Sequence, residues 1–153
     1  MSTEKNKEGI KTGPEHDFTK LINTVHITFR QFFQQKFKEH NLDLTIEMVQ
    51  VLRQLWEKDG INQQEIADAV EKDKTSLTYL IDNLSRRNLV ERKEDPVDRR
   101  NKIIYLTEEG HKLRARLLVF VNEMFELVGK DIPEKEIQDV NSILEKIVKN
   151  VKG

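Results

Sequence analysis

Residues 89–107 contain two short β-prone runs, LVERK and KIIYLT, separated by a loop that crowds five charges and a proline together (Glu94, Asp95, Pro96, Asp98, Arg99, Arg100). The surrounding sequence has helical periodicity, so this single hairpin limits the possible folds more than any other feature. What precedes it is equally specific. Asn62 followed by Glu65 has capping-box spacing and opens a short helix, QQEIADAV, with Ile66, Ala67 and Val70 inward; the small Ala67 lets another helix approach closely. Asp73 caps the next helix, KTSLTYLIDNLSRR, where Leu77, Leu80, Ile81 and Leu84 form the buried stripe. Lys74, Thr75, Ser76, Thr78 and Tyr79 fall largely on its other side. Two helices joined by a tight turn, the second exposing hydrogen-bonding residues along its N-terminal half, form a helix-turn-helix.

A helix-turn-helix followed at once by a basic hairpin is a winged helix, and the hairpin is the wing. The helix fills the major groove of double-stranded DNA while the wing reaches the adjacent backbone or minor groove, where arginine is favoured by concentrated negative potential. Arg99 and Arg100 are the wing residues suited to that contact. Pro96 stiffens the approach, Asp98 is positioned to hold one arginine by a charge-assisted hydrogen bond, and Arg92 on the first strand is a second supporting residue. The plainer alternative is a solvated polar loop.

Charge distribution agrees with a polyanionic partner. Residues 72–102 carry nine basic and six acidic side chains, a balance of +3, within a chain whose net charge is −1. The 153 residues suffice for one domain with added helices, and 35% charged against 37% apolar residues fits a helix-rich globular chain. With no cysteine, disulfides, thiolate metal sites and thiol switches are excluded. No apolar run approaches a membrane span and the N-terminus lacks a signal-like apolar stretch, so the expected location is cytoplasmic, away from membranes.

Other elements follow from periodicity and caps. Phe18, Leu21, Ile22, Val25, Phe29, Phe32, Phe33 and Phe37 recur at spacings of three and four, predicting a long helix from Asp17 to about Asn41. Thr45 caps a second helix carrying Met48, Val49, Leu52, Leu55 and Trp56, which closes at Asp59-Gly60. Beyond the wing, Thr107 caps a helix with Leu113, Leu117, Leu118, Val121, Met124, Phe125 and Val128. After the break GKDIP, a last helix carries Ile137, Val140, Ile143, Leu144, Ile147, Val148 and Val151.

The arrangement Asp98, Arg100, Leu106, Thr107 and Gly110, together with SLTYLIDNLSRRNLVERKEDPVDRR, resembles the MarR family of winged-helix transcriptional regulators over about Asp17 to Val151. Asn88 stands where the family usually has glycine, and asparagine tolerates the same left-handed conformation. Tyr79 stands where the family often has arginine or another polar residue. The resemblance implies a mainly α (α+β) fold: a winged helix-turn-helix with a two-stranded wing and a helical dimerisation domain built from both chain ends. The expected boundaries are a flexible tail at 1–16, a dimerisation helix at 17–41, the DNA-binding domain at 42–107 and dimerisation helices at 108–153. Apolar stripes at both ends exceed what a lone winged helix needs, which agrees with a homodimer.

The implied function is a ligand-responsive repressor that binds an inverted-repeat operator. Its effector would be a small lipophilic or aromatic compound, and Phe29, Phe33, Met48 and Trp56 are candidates to line the cavity; the same residues suit ordinary core packing. The four histidines have no metal-ligand spacing, and no nucleophile motif or phosphate-binding glycine loop is present, so neither a metal, a cofactor nor an enzymatic activity is expected. The competing class is a helical winged-helix module that binds protein and ignores DNA sequence.

Overall fold

The computed structural model describes Lys5 and residues 7–153. Of the expected tail, residues 1–4 and 6 lie outside the described residues, and Pro14 to His16 are already helical. Six helices and three strands follow in the order α1 (Pro14–Glu39), α2 (Ile46–Glu57), β1 (Ile61–Asn62), α3 (Gln63–Ala69), α4 (Lys74–Arg86), β2 (Val90–Glu94), β3 (Lys102–Leu106), α5 (Glu108–Gly129) and α6 (Glu134–Lys152). They divide into two compact units, the first ending at Arg114 and the second spanning Ala115–Gly153, with the boundary inside α5.

Local chemistry sets most boundaries of the first unit. Helix α1 starts three residues earlier than its apolar stripe suggests because Pro14, lacking an N–H and fixed in φ, suits the first helical position. It ends in a Schellman turn: Asn41 takes φ 52°, the Leu42 N–H reaches the Phe37 carbonyl at 2.8 Å, and the Asn41 N–H reaches that of Lys38 at 3.2 Å. Thr45 caps α2 by accepting the Met48 N–H at 3.2 Å. Asn88 adopts φ 57° between α4 and β2, as its tolerance for that region allows.

The sheet has the order β1-β3-β2, all antiparallel. The wing hairpin pairs Val90 with Leu106 through Glu94 with Lys102. Unforeseen is β1, whose two residues pair Ile61 with Ile104 and Asn62 with Ile103; it is too short for any alternation to signal it. The core gathers Val51, Leu52 and Leu55 of α2, Ile66 and Ala67 of α3, Leu77, Ile81 and Leu84 of α4, and Ile104 of β3, all essentially inaccessible. Val51 was not on the expected stripe, and Val49, Trp56 and Val70 are only half-buried. Arg30 on α1 donates to Glu47 on α2 at 2.8 Å, and that bond is the main reason the Glu47 carboxyl titrates below its ordinary range.

In the second unit, Leu117, Phe120 and Met124 are the buried residues of α5, whereas Leu118 and Phe125, expected inward, are exposed. Both sides of this helix are apolar, so periodicity alone does not reveal which side turns in. Asp131, at φ 57°, makes the turn into α6. None of the apolar residues of α6 is buried, and Val140, Ile143, Val148 and Val151 are more than half exposed.

Candidate nucleic-acid interface

Helix α4 begins at an N-cap that uses both oxygens of one carboxylate. Asp73 accepts the Ser76 N–H and the Ser76 hydroxyl, each at 2.8 Å, and these two bonds, the backbone one first, hold its carboxyl below the ordinary range. The face that follows carries the residues read as DNA-contacting. Lys74, Thr75, Ser76 and Tyr79 are exposed and Thr78 is half-buried. Two of the hydroxyls are already engaged. Ser76 donates to the cap, and Thr78 donates to the Lys74 carbonyl at 2.8 Å while accepting from Gln63 Nε2 at 2.8 Å. Behind this face the buried Asn83 donates to the Tyr79 carbonyl at 2.8 Å and accepts from Arg86 and Arg87, so α4 has a satisfied polar spine.

The wing turn is built by two aspartates. Asp95 accepts the Val97 N–H at 2.9 Å and Asp98 accepts the Arg100 N–H at 3.0 Å, each a side chain closing a turn two residues on. This corrects the expected bond from Asp98 to an arginine side chain: the carboxylate accepts a backbone N–H because the seven-residue tip, residues 95–101, must find partners for its own N–H groups. The guanidinium groups of Arg99 and Arg100 consequently have no ion-pair partner among the described residues. Arg92 donates to Asp82 at 2.9 Å and thereby ties β2 to α4, while Lys102 pairs with Glu94 at 3.0 Å across the hairpin.

Between these elements lies a groove of about 410 Å³ lined by Gln63 and Gln64 of α3, Lys74 and Thr78 of α4, and Arg92 and Arg100 of the wing. The fold thus brings together four of the residues expected from sequence, with Arg99, Thr75, Ser76 and Tyr79 outside the lining. The two glutamines were missed, although two amides directly after a capping asparagine are a readable signal. Asn62 accepts the N–H groups of Gln64 and Glu65 at 2.7 and 3.3 Å, which anchors this start of α3.

The root of the wing is pinned to α2 and α5. Thr107 donates to the Asn88 carbonyl at 2.6 Å and accepts the Gly110 N–H at 3.0 Å. Trp56 donates its indole N–H to the Gly110 carbonyl at 2.9 Å, and Asp59 accepts the N–H groups of Gly60 and Leu106. Asp59, read from sequence only as part of a turn, therefore substitutes for a strand partner at the end of β3. The four cavity candidates differ in setting. Met48 is buried, Trp56 is half-buried and engaged as described, Phe29 is exposed, and Phe33 packs edge-on against Phe32 with centroids 5.3 Å apart. None of them lines the 410 Å³ groove.

Among the described residues, no group of three or more His, Cys, Asp or Glu could hold a metal ion, and no helix is long and apolar enough to cross a membrane.

This arrangement has clear relatives. Residues 44–102 match the model of the MarR family. The transcriptional regulator HosA of Escherichia coli O111:H- is 36% identical over 98 residues, covering 62% of this chain and 73% of HosA. MepR of S. aureus, solved in a DNA-binding conformation, superposes with a TM-score of 0.72 at 27% identity over 88% of this chain and 98% of that one. The PcaV regulator of Streptomyces coelicolor, solved in complex with its natural ligand, gives a TM-score of 0.68 at 21% identity over 90% and 93%. With its helix-turn-helix, paired wing and basic groove in the matched segment, the chain belongs to the MarR family of DNA-binding transcriptional regulators.

Proposed function

We propose that this regulator is a homodimeric, sequence-specific repressor that binds an inverted-repeat operator and is released by a small lipophilic or aromatic effector. The observation that carries the DNA contact is the basic groove in which Lys74 and Thr78 face an Arg100 with no internal acid partner. In this reading the N-terminal half of α4 enters the major groove, with Lys74, Thr75, Ser76, Thr78 and Tyr79 as contact residues. Arg99 and Arg100 meet phosphate or the minor groove, and Arg92, with Asp98, supports the wing.

Dimerisation is supported by apolar surface left uncovered in each unit. In the first, Leu21, Val25 and Phe29 of α1 are exposed; in the second, α6 buries none of its apolar residues. A second copy covering such stripes over an obligate interface of roughly 2,000 Å² or more makes a stable monomer unfavourable. Two-fold symmetry then presents two recognition helices about 34–36 Å apart, one turn of the duplex.

Effector response is supported by the ligand complex of PcaV. Phe29, Phe33, Met48 and Trp56 are the proposed contacts, and displacing the Trp56 indole from the Gly110 carbonyl would loosen the root of the wing. Action on chromosomal DNA accords with a cytoplasmic location.

The test is selection of bound duplexes from a random pool by the purified full chain. The expected product is an inverted repeat with half-sites about 10 base pairs apart. Equal retention of all sequences would instead favour the protein-interaction module.

A further inference from the structure

Gln63 is the first residue of α3, yet its side chain is fixed by the recognition helix. Its Nε2 donates to Thr78 Oγ1 at 2.8 Å, and Thr78 Oγ1 in turn donates to the Lys74 carbonyl at 2.8 Å. The hydroxyl proton is thus committed to α4 and cannot satisfy the Gln63 oxygen. This orients the carboxamide with nitrogen toward Thr78, leaving its oxygen and one N–H without a partner among the described residues. Gln63 lines the groove shared with Lys74 and Arg100.

An amide that still offers one acceptor and one donor has the hydrogen-bonding pattern of one base edge in the major groove, the N7 acceptor and N6 amino donor of adenine. It does not match guanine, whose N7 and O6 are both acceptors, nor a phosphate, which offers no donor. Locking the amide beforehand also removes much of the rotamer entropy that a free glutamine loses on contact. Resting on the DNA-contact reading above, we infer that Gln63, held by Thr78, is a specificity-determining residue that selects adenine at one position of each half-site. Thr78 is its positioning residue.

The test compares wild type, Gln63→Glu and Thr78→Val by selection from a random duplex pool, with thermal melting of each. Wild type should prefer adenine at one position per half-site by roughly 5- to 150-fold over other bases. Gln63→Glu replaces the donor with an acceptor, so that position alone should change to cytosine, whose N4 amino group suits a carboxylate. Thr78→Val should blur the preference at that same position while leaving other positions selected. If Gln63→Glu weakens all sequences uniformly, or leaves the adenine in place, the inference is overturned. A wild type that enriches no motif at all refutes the sequence-specific reading itself, which is a separate result.

Discussion

Replacing Gly110 by alanine sets two well-characterised effects against each other. Gly110 lies in the first turn of α5, where helix propensity favours alanine by up to about 1 kcal/mol. A Cβ built there, however, meets the Leu89 carbonyl oxygen at 2.1 Å, and the obstacle is backbone. Since Cβ contacts under 3.0 Å essentially never occur, α5 or the Leu89 peptide must shift by roughly 1 Å. That shift strains three hydrogen bonds that converge on this point: the Thr107 cap to Gly110, Trp56 to the Gly110 carbonyl, and the Thr107 N–H to Leu89 at 3.1 Å. Losing the cap costs about 1 kcal/mol and loosening the other two about 1 kcal/mol each, before any packing change. The contact outweighs propensity by roughly 2–4 kcal/mol, which for a chain of this size lowers Tm by about 5–15 °C. Circular dichroism melts at a fixed protein concentration measure this directly, the concentration being held because assembly shifts apparent stability. An unchanged or raised Tm would refute the close approach of α5 to the wing root.

Arg100→Ala should weaken operator binding by about 1–3 kcal/mol and flatten the salt dependence of affinity, measured by fluorescence anisotropy across a salt series; an unchanged slope would remove the wing from the interface. Changing Ile143 and Ile147 to aspartate should yield a monomer or an unfolded chain with much weaker DNA binding, by sedimentation and anisotropy, whereas a dimer with full affinity would defeat the proposed role of α6. Glu47→Gln should destabilise at pH 7 by about 0.5–1 kcal/mol, because the folded carboxyl titrates below its ordinary value of 4.5 through its bond from Arg30. A carboxyl lowered on folding stabilises above its unfolded value and loses that contribution as pH falls, so urea melts of the two proteins should converge below pH 4.5, and a gap that widens in acid would contradict the pairing.

Features determined by neighbours in sequence were readable, and features determined by distant partners were not. The caps at Thr45, Asn62, Asp73 and Thr107 and the left-handed Asn41 and Asn88 depend on groups two to four residues away, and each occurs as its residue type suggests. The winged-helix order was accessible for the same reason, because hairpin and helix periods alternate along the chain. Strand β1 exists only through pairing with β3, which arrives some forty residues later. The inward side of α5 could not be chosen from a helix with Leu118 and Phe125 on one side and Phe120 on another. At the candidate interface, residue types direct attention to α4 and the wing, but nothing local reveals that Gln63 reaches Thr78 or that Asp98 turns to backbone.

Those two contacts change what the interface residues are able to do. Were Ser76 and Thr78 free hydroxyls, each could rotate to donate or accept and would tolerate several bases. Engaged by Asp73 and by Lys74 and Gln63, they act as fixed elements of α4. If α4 contacts DNA as proposed, the Gln63 amide, the exposed Tyr79 and the Thr75 side chain would be the neighbouring groups with hydrogen-bonding capacity left for bases, with Ser76 and Thr78 contributing only what their cap and Gln63 bonds leave. In the wing the logic runs the other way. Asp98 spends its carboxylate on the turn, which fixes the backbone of the tip but leaves the arginine side chains unpaired. On the proposed DNA contact, α4 capped by Asp73 and a wing turned by Asp95 and Asp98 would divide the work by physical type, with hydrogen-bonding groups for bases and unpaired arginine side chains for phosphate.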